Sequence, residues 1–282
     1  MYLEFETKTS YKYLQEVIKA LQEPICIMGG WAVFFHVNKN FQKTQGRPYL
    51  GSRDIDLGFH LDKNSTIEQM KNSALSKSLD ILQNKLKFKS ISFRLLKEIH
   101  TETEEEITER QIIPSHFVFP MYIDPLVDFI PKDFKKVFKF QPADEPLLGF
   151  AFTDHKHRIE LEEFDKRLWL PKAELLLATK INALNLRDKE HKKIKDICDI
   201  FALLWYSGEI SSRIPRRMGA RIPERIPNRL PRNLAEEVRQ FISINKIKQI
   251  IKNITNEDYE KASIQLNHSP EEIKRVVEIL NI

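Results

Sequence analysis

Asp54 and Asp56 stand two residues apart in "SRDIDLGFHL", with Ile55, Leu57 and Phe59 on the alternate positions. That alternation is the period of a half-buried strand, so both carboxylates project from one face. Side by side they repel unless a cation offsets them, and hard oxygen ligands suit Mg2+ or Mn2+. Upstream, "PICIMGGWAVFFHV" reads as a buried strand, a glycine turn and a core helix. Gly29 and Gly30 would let a polyphosphate approach backbone amides at the helix N-terminus, where the dipole also favours negative charge. Ser52, two residues before the first aspartate, offers a small hydroxyl to a phosphate oxygen. A third carboxylate would complete a two-metal centre. Asp128 in "PLVDFI" is the better strand residue for it, while Asp124 competes but precedes Pro125 and reads as a bend.

The elements that must position these groups follow from periodicity. Residues 10–22 read as an amphipathic helix capped by Ser10, residues 38–51 as a loop, and residues 66–86 as a helix. "FKSISFRLL" and the run "HFVFPMYIDPLVDFI" read as strands, with two further short strands expected within 147–162. From Pro171, which suits a first helical position, the texture becomes helical, with later helices at 233–251, 256–266 and 270–280. The expected fold class is α+β: a mixed-sheet core over residues 1–165 and a helical domain over 166–282, interrupted by an Arg/Pro-rich segment at 208–233. On the first of these helices Lys180 emerges from a stripe of Leu176, Leu177, Ala183 and Leu184, so its ammonium must snorkel or meet an anion. Asp196 and Asp199 share a helix face, open either to a functional role or to surface pairing with Lys192, Lys195 or Arg187.

Composition narrows the classes. The chain has 282 residues, 41% of them hydrophobic and 30% charged, which is globular, and no run approaches the ~20 apolar residues of a membrane helix. A secretory signal is not expected, so the expected location is cytoplasmic. Cys26 and Cys198 lie in apolar runs and read as buried thiols; no Ser/His/Asp or Cys/His arrangement stands out. The net charge of +5 belongs to one segment, since residues 213–232 hold seven arginines and one glutamate, a local +6 that leaves the remainder at −1. Prolines recur there every four residues at 223, 227 and 231, which excludes a regular helix. The segment reads as a linker or as an arginine strip for RNA phosphates.

"GGWAV" followed by "GSRDIDL" resembles the signature of the polymerase-β-like nucleotidyltransferase superfamily. The continuation "LLLATKINALNLRDKEHKKIKDICDIFALL" is similar to its AbiEii-type branch, the nucleotidyltransferase toxins of bacterial toxin-antitoxin systems. The resemblance implies a nucleotidyltransferase core with a C-terminal helical domain. It also implies an enzyme that transfers a nucleoside monophosphate from NTP to an acceptor hydroxyl and releases pyrophosphate. Two Mg2+ or Mn2+ ions would be held by Asp54, Asp56 and Asp128, with Gly29, Gly30 and Ser52 on the triphosphate. Lys180 would neutralise phosphate charge, with Asp196 and Asp199 as accessory groups and Asp124 as the alternative third carboxylate. The branch often carries an Arg two residues before the Ser/Thr; that position here is Leu50, so Arg47 or Arg53 would substitute. RNA is the implied acceptor, with the tRNA 3′ end as one form of it, and an antitoxin protein the implied partner. The alternatives are a small-molecule (antibiotic) or protein acceptor, or a non-catalytic nucleotide- or RNA-binding protein of the same fold.

Overall fold

The computed structural model describes residues 3–108, 112–138, 142–208 and 230–281. Residues 209–229, which hold most of the Arg/Pro-rich segment, lie outside the described residues. The chain divides into two compact units, a sheet unit of Tyr2–Ala32 with Gly51–Lys172 and a helical unit of Val33–Leu50 with Ala173–Ile282. The sheet unit ends at Lys172, and residues 33–50 group with the later helices. No helix among the described residues is long and apolar enough to cross a membrane.

The sheet unit carries β1 (Ile25–Ile27), β2 (Asp54–Phe59), β3 (Lys89–Ile91), β4 (Arg94–His100), β5 (Val118–Val127), β6 (Ala143–Asp144), β7 (Arg158–Glu163) and β8 (Lys166–Pro171). They run in the order β3-β4-β5-β2-β1-β8-β7, with β6 also beside β5. The sheet is mixed: β2 is parallel to β5 and β1 to β8, while β1–β2, β4–β5 and β7–β8 are antiparallel. Helices α1 (Glu4–Ala20), α3 (Ile67–Lys71), α4 (Ala74–Asp80), α5 (Phe134–Val137) and α6 (Leu148–Thr153) belong to this unit, as does the first turn of α2 (Gly29–Gln45), whose remainder falls in the helical unit.

Several elements differ from their sequence expectation, each for a local reason. Helix α1 starts at Glu4, and Ser10 is no cap but a buried mid-helix residue whose Oγ accepts from Trp31 Nε1 at 3.1 Å. Helix α2 runs through the expected loop to Gln45, because Val37 and Phe41 extend the buried stripe beneath its Asn, Lys and Gln face. It ends at Gly46, whose φ of +71° is the left-handed conformation that closes helices. Residues 147–162 hold one strand rather than two: Leu148–Thr153 is helical, and the second strand, Lys166–Pro171, lies later and takes Pro171. Strand β5 does not bend at Pro125; it continues to Val127, and its alternate residues Phe119, Met121, Ile123 and Val127 are buried.

The helical unit continues with α7 (Ala173–Leu184), α8 (Glu190–Tyr206), α9 (Leu230–Val238), α10 (Ile244–Lys252), α11 (Asn256–Leu266) and α12 (Pro270–Glu278). The single helix expected over 233–251 is split, because Ser243 begins a new one by accepting from Lys246 N at 3.4 Å. Ser269 caps α12 through Glu272 N at 3.2 Å with Pro270 at the first position, as its sequence predicts.

Candidate functional site

The parallel register of β2 and β5 places Asp54 beside Tyr122 and Asp56 directly beside Asp124. On β5 the odd-numbered residues are buried, so Tyr122 and Asp124 share the more open face with Asp54 and Asp56. Three carboxylates thus lie on one face of two adjacent strands. The register brings Asp124, rather than Asp128, beside Asp56. The bend that would have removed Asp124 does not occur, and Asp128 falls one residue beyond β5, four positions further along the chain.

Asp128 is engaged at the far end of β2. Its Oδ1 accepts from Leu61 N at 2.9 Å and its Oδ2 meets His60 Nδ1. Gly149 lies beside it, since a Cβ there would stand 3.5 Å from Oδ2. These contacts tie Asp128 to the exit of β2.

Asp56 sits over the start of α2. Gly29 has φ +60°, and a Cβ built on it would fall 1.8 Å from Asp56 Oδ2. The carboxylate therefore takes the space a side chain would fill, beside a helix end whose first amides lack intrahelical acceptors. Backbone pairing fixes that approach, with Met28 N donating to Asp56 O at 2.9 Å. Gly30 follows as a buried residue of the first turn. Gly51 is also closely approached, though less tightly: a Cβ there would meet Trp31 Cη2 at 2.9 Å. Trp31 thereby fixes the approach to β2, and Ser52 is buried at its entrance. Arg53 turns to Glu6, 3.3 Å from Nη2, and lies 5.3 Å from the Phe119 ring centre. Gly29→Ala is expected to cost at least about 1–2 kcal/mol from the left-handed backbone alone, and to expel Asp56 from its seat. A thermal melt equal to that of the unaltered protein would show that the glycine is not needed there.

Arg94 was not singled out by sequence reasoning, yet it touches two of the three carboxylates. Beyond the antiparallel pair Leu95–Ile123, the first residue of β4 comes opposite Asp124. Its Nε donates to Asp124 Oδ1 at 2.5 Å, and its Nη2 to Asp124 Oδ2 at 2.7 Å and Asp54 Oδ2 at 2.8 Å. The guanidinium carbon lies 3.9 Å from the centre of the Tyr122 ring and 5.6 Å from that of Phe93. Burial opposes the charge, but the hydrogen bonds and charges of Asp124 and then Asp54 outweigh it, so the guanidinium pKa is raised. Its only sequence signal was an arginine inside a strand; the partner depended on register, which β4 alone does not encode.

Asp54, Asp56 and Asp124 offer carboxylate oxygens on this face, the chemistry a hard divalent cation prefers. Arg94 nevertheless stands between two of them, and among the described residues no group of three or more His, Cys, Asp or Glu is arranged to hold a metal ion.

Lys180, Asp196 and Asp199 come together in the helical unit, and they are buried rather than on a surface. Lys180 Nζ lies 3.0 Å from Asp196 Oδ1 and 2.8 Å from Asp199 Oδ2. Arg187 Nε reaches Asp196 Oδ2 at 2.5 Å, Lys195 pairs with Asp199, and Tyr49 donates its hydroxyl to Asp199 Oδ1 at 2.7 Å. Burial disfavours both charged forms, yet Asp196 and Asp199 raise the Lys180 pKa, and Lys180 and Lys195 lower that of Asp199. The ammonium expected to meet phosphate is satisfied by two carboxylates of the neighbouring helix. Both cysteines are buried, and burial pushes the Cys26 thiol up to about 12, which keeps it protonated.

No protein-family model matches the chain, and no curated protein matches it. One solved structure is similar, that of an antigenic nucleotidyltransferase-like protein from Paracoccidioides brasiliensis, at 18% identity and a TM-score of 0.33 over 71% of this chain and 75% of that one. A likeness so distant transfers neither a fold nor an activity.

Proposed function

We propose that the protein is a nucleotidyltransferase that moves a nucleoside monophosphate from NTP to an acceptor hydroxyl with release of pyrophosphate. The observation that carries this reading is the placing of Asp54, Asp56 and Asp124 on one face of β2 and β5, with Asp56 over the glycine-started N-terminus of α2. In this reading Asp54, Asp56 and Asp124 are the residues that would hold Mg2+ or Mn2+, although Arg94 pairs two of them and no metal-holding group is formed among the described residues. Such ions, when bound, would offset triphosphate charge and make the acceptor hydroxyl easier to deprotonate. The chain's own share is positioning: the first turn of α2 and Ser52 receive phosphate oxygens, and the strand register fixes the carboxylates before substrate arrives. Asp124 takes the role that strand pattern alone favoured for Asp128. The acceptor proposed is RNA, on the strength of the family resemblance.

A second reading, a nucleotide- or RNA-binding protein without catalysis, draws support from Arg94, which already neutralises part of the site. Incubation with each α-labelled NTP and Mg2+, in separate reactions with total RNA, antibiotics and a protein substrate pool, tests both. Label in RNA supports the reading; label in another pool relocates the acceptor. Bound NTP with no label in any pool selects the non-catalytic alternative.

A further inference from the structure

The far end of β2 carries a second arrangement, which nucleotidyl transfer does not use. We infer that His60, oriented by Asp128, is a nucleophile that takes a phosphoryl group on Nε2 from an activated donor, one whose phosphorus bears a nitrogen or acyl-oxygen leaving group. The pair comes from strand register. β2 and β5 are parallel and end together, Phe59 beside Val127, so His60 and Asp128 are the next residues out at the carboxyl ends of both strands. Open α/β sheets present ligand sites at that end of their parallel strands. Both Asp128 oxygens are engaged: Oδ1 accepts from Leu61 N at 2.9 Å, and Oδ2 meets His60 Nδ1. The Asp128 backbone N donates to Phe59 O at 3.3 Å, which anchors the carboxylate to the strand exit.

An ionised carboxylate only accepts, so it holds the ring proton on Nδ1 and leaves the lone pair on Nε2. The Asp128 side chain is 7% exposed and that of His60 46%, so the orienting group is buried and the oriented ring meets solvent. Among the described residues Nε2 has no hydrogen-bond partner. No hydroxyl or thiol of theirs is therefore placed for the imidazole to activate, and the ring nitrogen is itself the nucleophile. Phe152, with its ring centre 5.7 Å away and its plane inclined by 30°, supports the imidazole. Lys63, three residues after His60, stands 5.6 Å from the ring centre of Phe129, the residue after Asp128, and brings a cation to the same rim for phosphoryl oxygens. In the step itself the Nε2 lone pair forms the N–P bond while the bond from phosphorus to the leaving group breaks, and the leaving group takes that electron pair. The ring becomes cationic, and the Nδ1 proton shared with Asp128 offsets the charge. Asp128 is thus a positioning residue for His60.

The test is incubation of the full chain with phosphoramidate and, separately, with acetyl phosphate, followed by phosphorus and nitrogen NMR and by peptide mass spectrometry in alkali, where phosphohistidine survives. His60 is expected to be phosphorylated on Nε2, at least about tenfold faster than His116 and His155, which are exposed as well. Faster labelling from either donor supports the proposal, and the donor that gives it identifies the leaving group. Asp128→Asn would keep its oxygen on Leu61 N and turn an amide donor toward Nδ1, moving the ring proton to Nε2. It should bring the His60 rate down to that of the other two histidines, with the fold confirmed by circular dichroism. Equal rates at the three histidines of the unaltered protein, phosphorylation on Nδ1, or a His60 rate that Asp128→Asn leaves unchanged would each overturn the proposal. The first two comparisons use the unaltered protein and decide the matter even if Asp128→Asn does not fold. None of these outcomes bears on nucleotidyl transfer at the other end of β2.

Discussion

Asp124→Asn is expected to lower nucleotide transfer by at least about a thousandfold, and Asp54→Asn by a similar factor, with the fold retained. Both residues lie on the more open face of the sheet, so the isosteric amide opens no core cavity. What changes is charge. An amide oxygen is a poor ligand for a hard cation, and an amide nitrogen placed against Arg94 would set donor against donor. Asp128→Asn, by contrast, should change transfer less than about tenfold, because Asp128 serves Leu61 N and His60 at the other end of β2. The ranking is measured by single-turnover transfer from labelled NTP, with circular dichroism to confirm folding. A severe loss in Asp128→Asn with near-normal Asp124→Asn would return the third-carboxylate role to Asp128 and undo the assignment drawn from the β2–β5 register.

The second large effect is on stability. Asp199→Asn is expected to cost about 3–5 kcal/mol, since it leaves Lys180 and Lys195 buried without their shared counter-charge. The melting temperature should fall by on the order of 10 °C. Lys180→Met should be costly for the same reason, stranding part of the charge on Asp196 and Asp199, whereas combining Lys180→Met with Asp199→Leu should recover much of the loss. The pH dependence follows from the directions of the shifts. The Asp199 pKa is lowered in the folded state, so its contribution is present above the ordinary carboxylate value of about 3.9 and is lost as pH falls through the lower folded value. The Lys180 pKa is raised, so its contribution is present below about 10.4 and is lost as pH rises through the higher folded value. Melts of the unaltered protein and of Asp199→Asn should therefore differ by a constant amount between about pH 5 and 9 and converge outside it. If Lys180→Met melted normally but lost NTP affinity, the lysine would be a phosphate ligand rather than a strut between helices.

Much of the site was legible from one dimension because its parts are local. The alternation of Asp54 and Asp56 with Ile55 and Leu57 fixes a common face, since side-chain direction in a strand has period two whatever the partner strand is. The glycine pair between an apolar strand and an apolar helix is likewise a statement about adjacent residues, and Gly29 has the positive φ that its type permits. The acidic pair at Asp196 and Asp199 was visible at helical spacing for the same reason. What lay outside that reach was register and burial. Whether Asp124 or Asp128 stands beside Asp56 depends on how β5 is offset against β2, and a strand's own sequence does not encode that offset. Pro125 misled, because in isolation it suggests a bend, whereas β5 passes straight through it, flanked on one side by β2 and later by β6. Arg94 became part of the site only because β4 starts opposite Asp124, and Lys180 ceased to be a free cation only because α7 packs on α8. Side-chain chemistry and its local spacing are properties of the chain; which charges meet is decided by strand offset and helix packing, because a charge removed from water takes the nearest opposite charge that the fold supplies.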